Sequence, residues 1–188
     1  MPIEIIKYKS CNIIINIDED AENPRRWDNI GTMICFHNRY NLGDKKHGFD
    51  SNNYSSWKEL EADIYKNNDI CVCLPLYLYD HSGITISTKA FSCNFDSGQI
   101  GFIYISKQKV RYEYNAKRIS HELKERVKQY LINEVKTYDD YISGNVFCYD
   151  IEIIETGEEI DNCCGYYGND HEKSGLLECA RSMIDSEL

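Results

Sequence analysis

The feature that most constrains this chain is a run of apolar side chains spaced three and four residues apart: Leu123, Val127, Tyr130, Leu131, Val135, Tyr138 and Ile142. Such steps bring side chains onto one face of a helix, so the spacing predicts a helix of about 24 residues, Ser120 to Ser143. Gly144 stands where that helix needs a left-handed terminating residue. A helix with one long apolar stripe must bury it against a second layer.

The other segments supply that layer. Ile3 to Ile17 predicts a hairpin turning at Lys9-Ser10. Gly31 to Tyr40, Ile70 to Tyr79, Ile84 to Thr88 and Ile100 to Ile105 have the β-branched or apolar character of strands, with Pro75 calling for an edge, a bulge or a strand end. Val146 to Ile154 and Glu159 to Tyr167 frame Glu155-Thr156-Gly157-Glu158 as a turn. Ser56 and Glu59 form a capping box opening a helix to about Lys66, Ser106 opens further helical territory, and Leu176 to Ile184 reads as a short amphipathic helix. Without regular βαβ order, the expected class is α+β: a mostly antiparallel sheet packed with one long helix (about 120–143) and two or three shorter ones. The length suits a single domain, residues 1–188, with a C-terminal hairpin-plus-helix region over 146–188.

That region is acidic. From Asp150 to Leu188 there are eleven acids against Lys173 and Arg181, so it carries −9 of the chain's net −10. Such a surface repels phosphate backbones and attracts basic surfaces, so direct DNA binding is not expected. The plainer meaning of a charge run is a solvated face. Nine cysteines, an odd number, follow an N-terminus without the apolar core of a secretory signal, and no stretch approaches the ~18 apolar residues of a membrane span. The expectation is reduced thiols in a cytoplasm and no membrane. Zinc-type spacing is missing, with only Cys71-x-Cys73 and Cys163-Cys164 present, so no metal or cofactor site is expected.

Polar chemistry concentrates in two segments. Asn23 to Asp44 reads NPRRWDNIGTMICFHNRYNLGD, and Leu74 to Lys107 reads LPLYLYDHSGITISTKAFSCNFDSGQIGFIYISK. In the second, Asp80, His81 and Ser82 sit where an apolar strand gives way to a glycine turn. His37, Arg39 and Asp96 join them if their strands are neighbours. An Asp/His pair with Cys93 or Ser97 would make a nucleophile and base, or His37, Asp80, His81 and Asp96 would hold a divalent metal. No nucleophile elbow, phosphate loop or HExxH motif is present. The plainer alternative has Asp and Asn setting turns and His81 bonding backbone. Arg25, Arg26 and Arg39 are candidate anion-binding residues, and Glu155, Glu158, Glu159 and Asp161 are candidates for contact with a basic partner.

Both blocks resemble a family of small stand-alone proteins encoded by bacteriophages and other mobile elements, the similarity running from about Asn23 to Gly168. The resemblance implies a phage or prophage context and no residue roles. Two functions are expected, the first from this context together with the charge and the second from the polar residues around His81. One is a non-enzymatic anti-defence protein, an anti-CRISPR-type inhibitor binding a basic, nucleic-acid-handling host protein such as a CRISPR effector or another nuclease. The other is a small hydrolase or binding protein for a nucleotide or phosphodiester ligand, with its site around Asp80, His81 and Asp96; a protein that holds a signalling nucleotide without cleaving it is a variant of this.

Overall fold

The computed structural model describes residues 2–93 and 95–187. The strands are β1 (Glu4–Tyr8), β2 (Cys11–Ile17), β3 (Thr32–Cys35), β4 (Ile70–Asp80), β5 (Ile84–Ser87), β6 (Ser97–Ser106), β7 (Val146–Ile153) and β8 (Glu159–Tyr167). The helices are α1 (Trp57–Asn67), α2 (Lys107–Glu113), α3 (His121–Ile142) and α4 (Leu176–Glu187). The class is α+β. The strands form two antiparallel sheets rather than one, ordered β1-β2-β7-β8 and β3-β6-β4-β5. The division arises because β2 pairs with β7, so the two ends of the chain make a sheet of their own.

The chain accordingly divides into two compact units, one of Met1–Pro24 with Asp140–Leu188 and one of Arg25–Asp139. In the first, Lys9 takes the left-handed conformation (φ 51) that a tight β1–β2 turn needs. Period-two alternation then turns Cys11, Ile13 and Ile15 of β2 and Phe147, Tyr149 and Ile151 of β7 to one face. Leu176, Leu177, Ala180 and Ile184 of α4 cover that face. This unit holds seventeen Asp and Glu against four Lys and Arg. The acidity is therefore not only C-terminal, since Asp18, Glu19, Asp20 and Glu22 after β2 belong to the same unit.

In the second unit, α1 starts at Ser56, whose hydroxyl accepts from the Glu59 amide at 3.3 Å. The Glu59 carboxylate reaches back one residue further than the capping-box pattern predicts, to the Ser55 amide and hydroxyl, both at 2.8 Å. Leu60 and Ile64 of α1 bury against Ile34, Phe102 and Tyr104. Pro75 is tolerated inside β4 because β5 pairs only with Tyr77–Asp80, leaving the other edge of β4 open at the proline. On α3, Val127, Leu131, Val135 and Tyr138 are buried, but Tyr130 is 46% exposed. A four-residue step from Val127 reaches Leu131; the three-residue step to Tyr130 falls off the stripe.

Arg25 organises this unit. Its side chain is 3% exposed, and its Nε lies 2.8 Å from Asp44 Oδ1 and its Nη1 3.0 Å from Glu134 Oε2. It also donates to the Gly31 carbonyl at 2.8 Å. Glu134 accepts the Ile30 amide at 2.8 Å, and Asp44 accepts the Met33 amide at 2.8 Å. A Cβ on Gly31 would stand 2.6 Å from the Leu131 side chain and 2.8 Å from Glu134 Oε2, so only glycine lets α3 come this close. Burial opposes the guanidinium charge, but Asp44 and Glu134 outweigh it and hold the group above the ordinary arginine value. Arg25→Met should cost about 3–5 kcal/mol in urea unfolding, because it leaves two largely buried carboxylates without their cation. A loss below about 1 kcal/mol would show that the network is not what holds the unit together.

Candidate functional site

The site is built on the chain between β3 and α1. Asp44 donates its amide to the Met33 carbonyl at 2.9 Å and accepts the Met33 amide, so residues 34–43 leave and return at one point. Gly43 makes the return: its φ is +73, a Cβ there would stand 2.8 Å from the Met33 carbonyl oxygen, and its amide donates to the Tyr138 hydroxyl at 3.0 Å. The tip of this loop, Phe36 to Arg39, is a wall common to two grooves.

The smaller groove, about 610 Å³, is lined by His37 and Arg39 from the wall, Asp80 from the end of β4, and Asp96 and Ser97 at the start of β6. The β4–β6 pairing sets Asp80 and Asp96 opposite each other, with the Asp80 amide donating to the Asp96 carbonyl at 2.8 Å. Arg39 is ion-paired with Asp80 while its side chain stays 69% exposed. The Tyr40 hydroxyl donates to the other Asp80 oxygen at 3.2 Å. His37 Nδ1 accepts the amides of Arg39 and Tyr40, each at 3.3 Å, so its proton sits on Nε2 and the ring offers a donor. His81 stands at the rim with Nδ1 3.4 Å from Asp96 Oδ2. Cys93 Sγ lies 3.7 Å from the same oxygen. The thiol is thus held by the carboxylate, which is not the thiol–imidazole contact of an activated nucleophile. No group of three or more His, Cys, Asp or Glu among the described residues is arranged to hold a metal ion.

The larger groove, about 910 Å³, shares the wall and is lined by Phe36, Tyr54 and Trp57 together with Asn38 and Asn41. Phe36 and Trp57 stand 6.4 Å apart with their ring planes 18° from parallel. The Tyr54 hydroxyl donates to Asp63 at 2.7 Å, which pushes its proton affinity up to about 12 and leaves the ring as an apolar surface. Cys35 also borders this groove, but burial pushes its thiol up to about 12, so it carries no thiolate at neutral pH.

Asp80, Asp96, His37 and Arg39 therefore converge on one groove, with His81 at its edge. Arg25 and Arg26 do not join them. Arg25 is committed inside the protein, and Arg26 is exposed in the short turn Pro24–Arg26. Glu155, Glu158 and Glu159 sit exposed in the first unit, around the β7–β8 turn. Asp161 is half-buried and accepts the Tyr149 hydroxyl at 3.0 Å, so it serves the fold of that unit. Tyr40, Asn38, Asn41 and the aromatic groove were not picked out from the sequence. Trp57 is the first residue of the helix that Ser56 and Glu59 open, and nothing in its spacing from Leu60 and Ile64 tells a core face from a groove wall.

Thiol chemistry gives a direct check. With iodoacetamide at pH 8, exposed Cys164 should alkylate well before Cys35, read by peptide mass spectrometry; equal rates would mean that Cys35 is neither buried nor protonated. No helix among the described residues is long and apolar enough to cross a membrane. No family model, curated protein or solved structure matches the chain.

Proposed function

We propose that the protein binds a nucleotide or a related phosphodiester ligand in the grooves of its second unit. The observation that supports this is the convergence of Arg39, His37, Asp80 and Asp96, drawn from three separate segments, on one groove. A guanidinium has five N–H donors, and the Asp80 contact leaves others in solvent to meet a phosphate. His37 adds an N–H donor, while Asp96 offers an acceptor suited to sugar hydroxyls. Charge agrees: the unit that holds the grooves has seventeen Lys and Arg against fourteen Asp and Glu, so the net −10 of the whole chain does not describe the field a ligand meets there. In the phage or prophage context that the resemblance implies, such a protein would withhold a nucleotide from host defence. Calorimetric titration with ribonucleotides and cyclic dinucleotides should find binding that Arg39→Ala weakens about tenfold, the worth of a lost charge-assisted contact. The absence of binding by any of them would end this reading.

A second reading rests on the first unit. Seventeen acids on one small folded body, with Glu155, Glu158 and Glu159 exposed near one turn, suit a basic, nucleic-acid-handling partner, and complementary charge speeds such encounters. The protein would then be an anti-defence inhibitor of a CRISPR effector or another nuclease. Replacing all three glutamates by glutamine should restore plasmid interference in a CRISPR-bearing host that expresses the protein. Unchanged inhibition would count against the acidic surface as the contact.

A further inference from the structure

The larger groove shares Phe36 to Arg39 with the smaller one and is also lined by Tyr40, so both residues that contact Asp80, Arg39 and Tyr40, border it. We infer that it is the ring-binding half of the same site: the base of a nucleotide stacks against Trp57 and Phe36, its phosphate meets Arg39 on the wall, and the rest of the ligand crosses into the smaller groove. This rests on the nucleotide reading and assigns the parts of the ligand to places.

Three observations fix the orientation. Phe36 and Trp57 both line the groove with their ring planes 18° from parallel, and every base has a face that can stack on an aromatic ring. Asn38 and Asn41 on the groove edge are exposed, and their side chains make no hydrogen bond among the described residues. Each amide carries a donor beside an acceptor, the pattern that the edge of a base presents. The third observation is electrostatic. The start of α1 borders this groove, but Ser56 and Glu59 already satisfy amides there, and the Glu59 carboxylate repels an anion. A phosphate is therefore disfavoured at the α1 end, while at Arg39 it meets the guanidinium N–H groups that the Asp80 pair leaves in solvent. The volume of about 910 Å³ lies within the range of small-molecule sites, roughly 300–1,000 Å³.

The chain has two tryptophans, so Trp27→Phe, which keeps an aromatic ring at that position, leaves Trp57 as a single reporter. That protein is titrated with the four ribonucleoside 5′-monophosphates, with adenosine, and with ribose 5-phosphate, which has no base. At least one nucleotide should quench Trp57, and ribose 5-phosphate should not. Trp57→Leu should weaken calorimetric binding of that nucleotide about tenfold. Because Trp57 also touches the core, an Asn38→Ala/Asn41→Ala double variant serves as a second arm; both positions are exposed, and the variant should weaken nucleotide binding while leaving ribose 5-phosphate binding unchanged. Calorimetric binding of a nucleotide with no Trp57 quenching, and with unchanged affinity in both variants, would overturn the ring-binding groove and leave the nucleotide reading standing. No binding of any nucleotide would overturn both.

Discussion

Arg25 carries a full positive charge inside the second unit, 3% exposed, between the carboxylates of Asp44 and Glu134. An ion there loses most of its hydration, and it is tolerable only because two anions and the Gly31 carbonyl replace the lost water. The groove wall depends on this arrangement. Asp44 is bonded at once to the guanidinium and to both polar atoms of the Met33 backbone, so fixing Asp44 closes the loop that carries Phe36, His37, Arg39 and Tyr40. Glu134 does the same for Ile30 and Gly31, which lead into β3. Arg39, a few residues along, pairs with Asp80 but remains mostly in solvent. An exposed pair contributes little to stability. The two arginines thus divide the work: the buried one shapes the loop, and the exposed one is left available to a ligand.

Charge is partitioned as well. The first unit has seventeen acids and four bases, the second seventeen bases and fourteen acids. Surface charges act over about 8 Å at physiological ionic strength, so a ligand entering a groove responds to the side chains around it and not to the total. A net charge of −10 argues against wrapping nucleic acid around the molecule. It does not argue against holding one small anion at Arg39. The same partition gives the first unit the surface that an electrostatically guided protein contact would use.

Much of the local structure was legible from the residues. The two hairpins read from Ile3 to Ile17 and from Val146 to Tyr167 locate β1, β2, β7 and β8, the Ser106 and Ser56 caps locate α2 and α1, and the stripe Val127, Leu131, Val135, Tyr138 locates α3. These follow from rules that act over a few residues: side-chain direction, amide capping and the cost of leaving an apolar face in water. The grouping of Asp80, His81 and Asp96 was also within reach, because two of them adjoin a strand end and the third lies near the start of the next long strand. Tyr130 misleads because a single helical step separates a buried position from an exposed one.

What the sequence by itself determined is the set of elements, the α+β class and the chemical types present near Asp80. The tertiary structure decided which strands share a sheet, that Arg25 lies inside while Arg39 lies outside, and that Phe36, Tyr54 and Trp57 form a groove wall. Each of these depends on partners far apart in the chain, such as Asn12 with Glu152 across β2 and β7, or Arg25 with Glu134. Nothing in the neighbourhood of Arg25 distinguishes it from Arg26. Only the approach of α3 at Gly31, where a side chain would not fit, brings Glu134 to one of them and leaves the other in water.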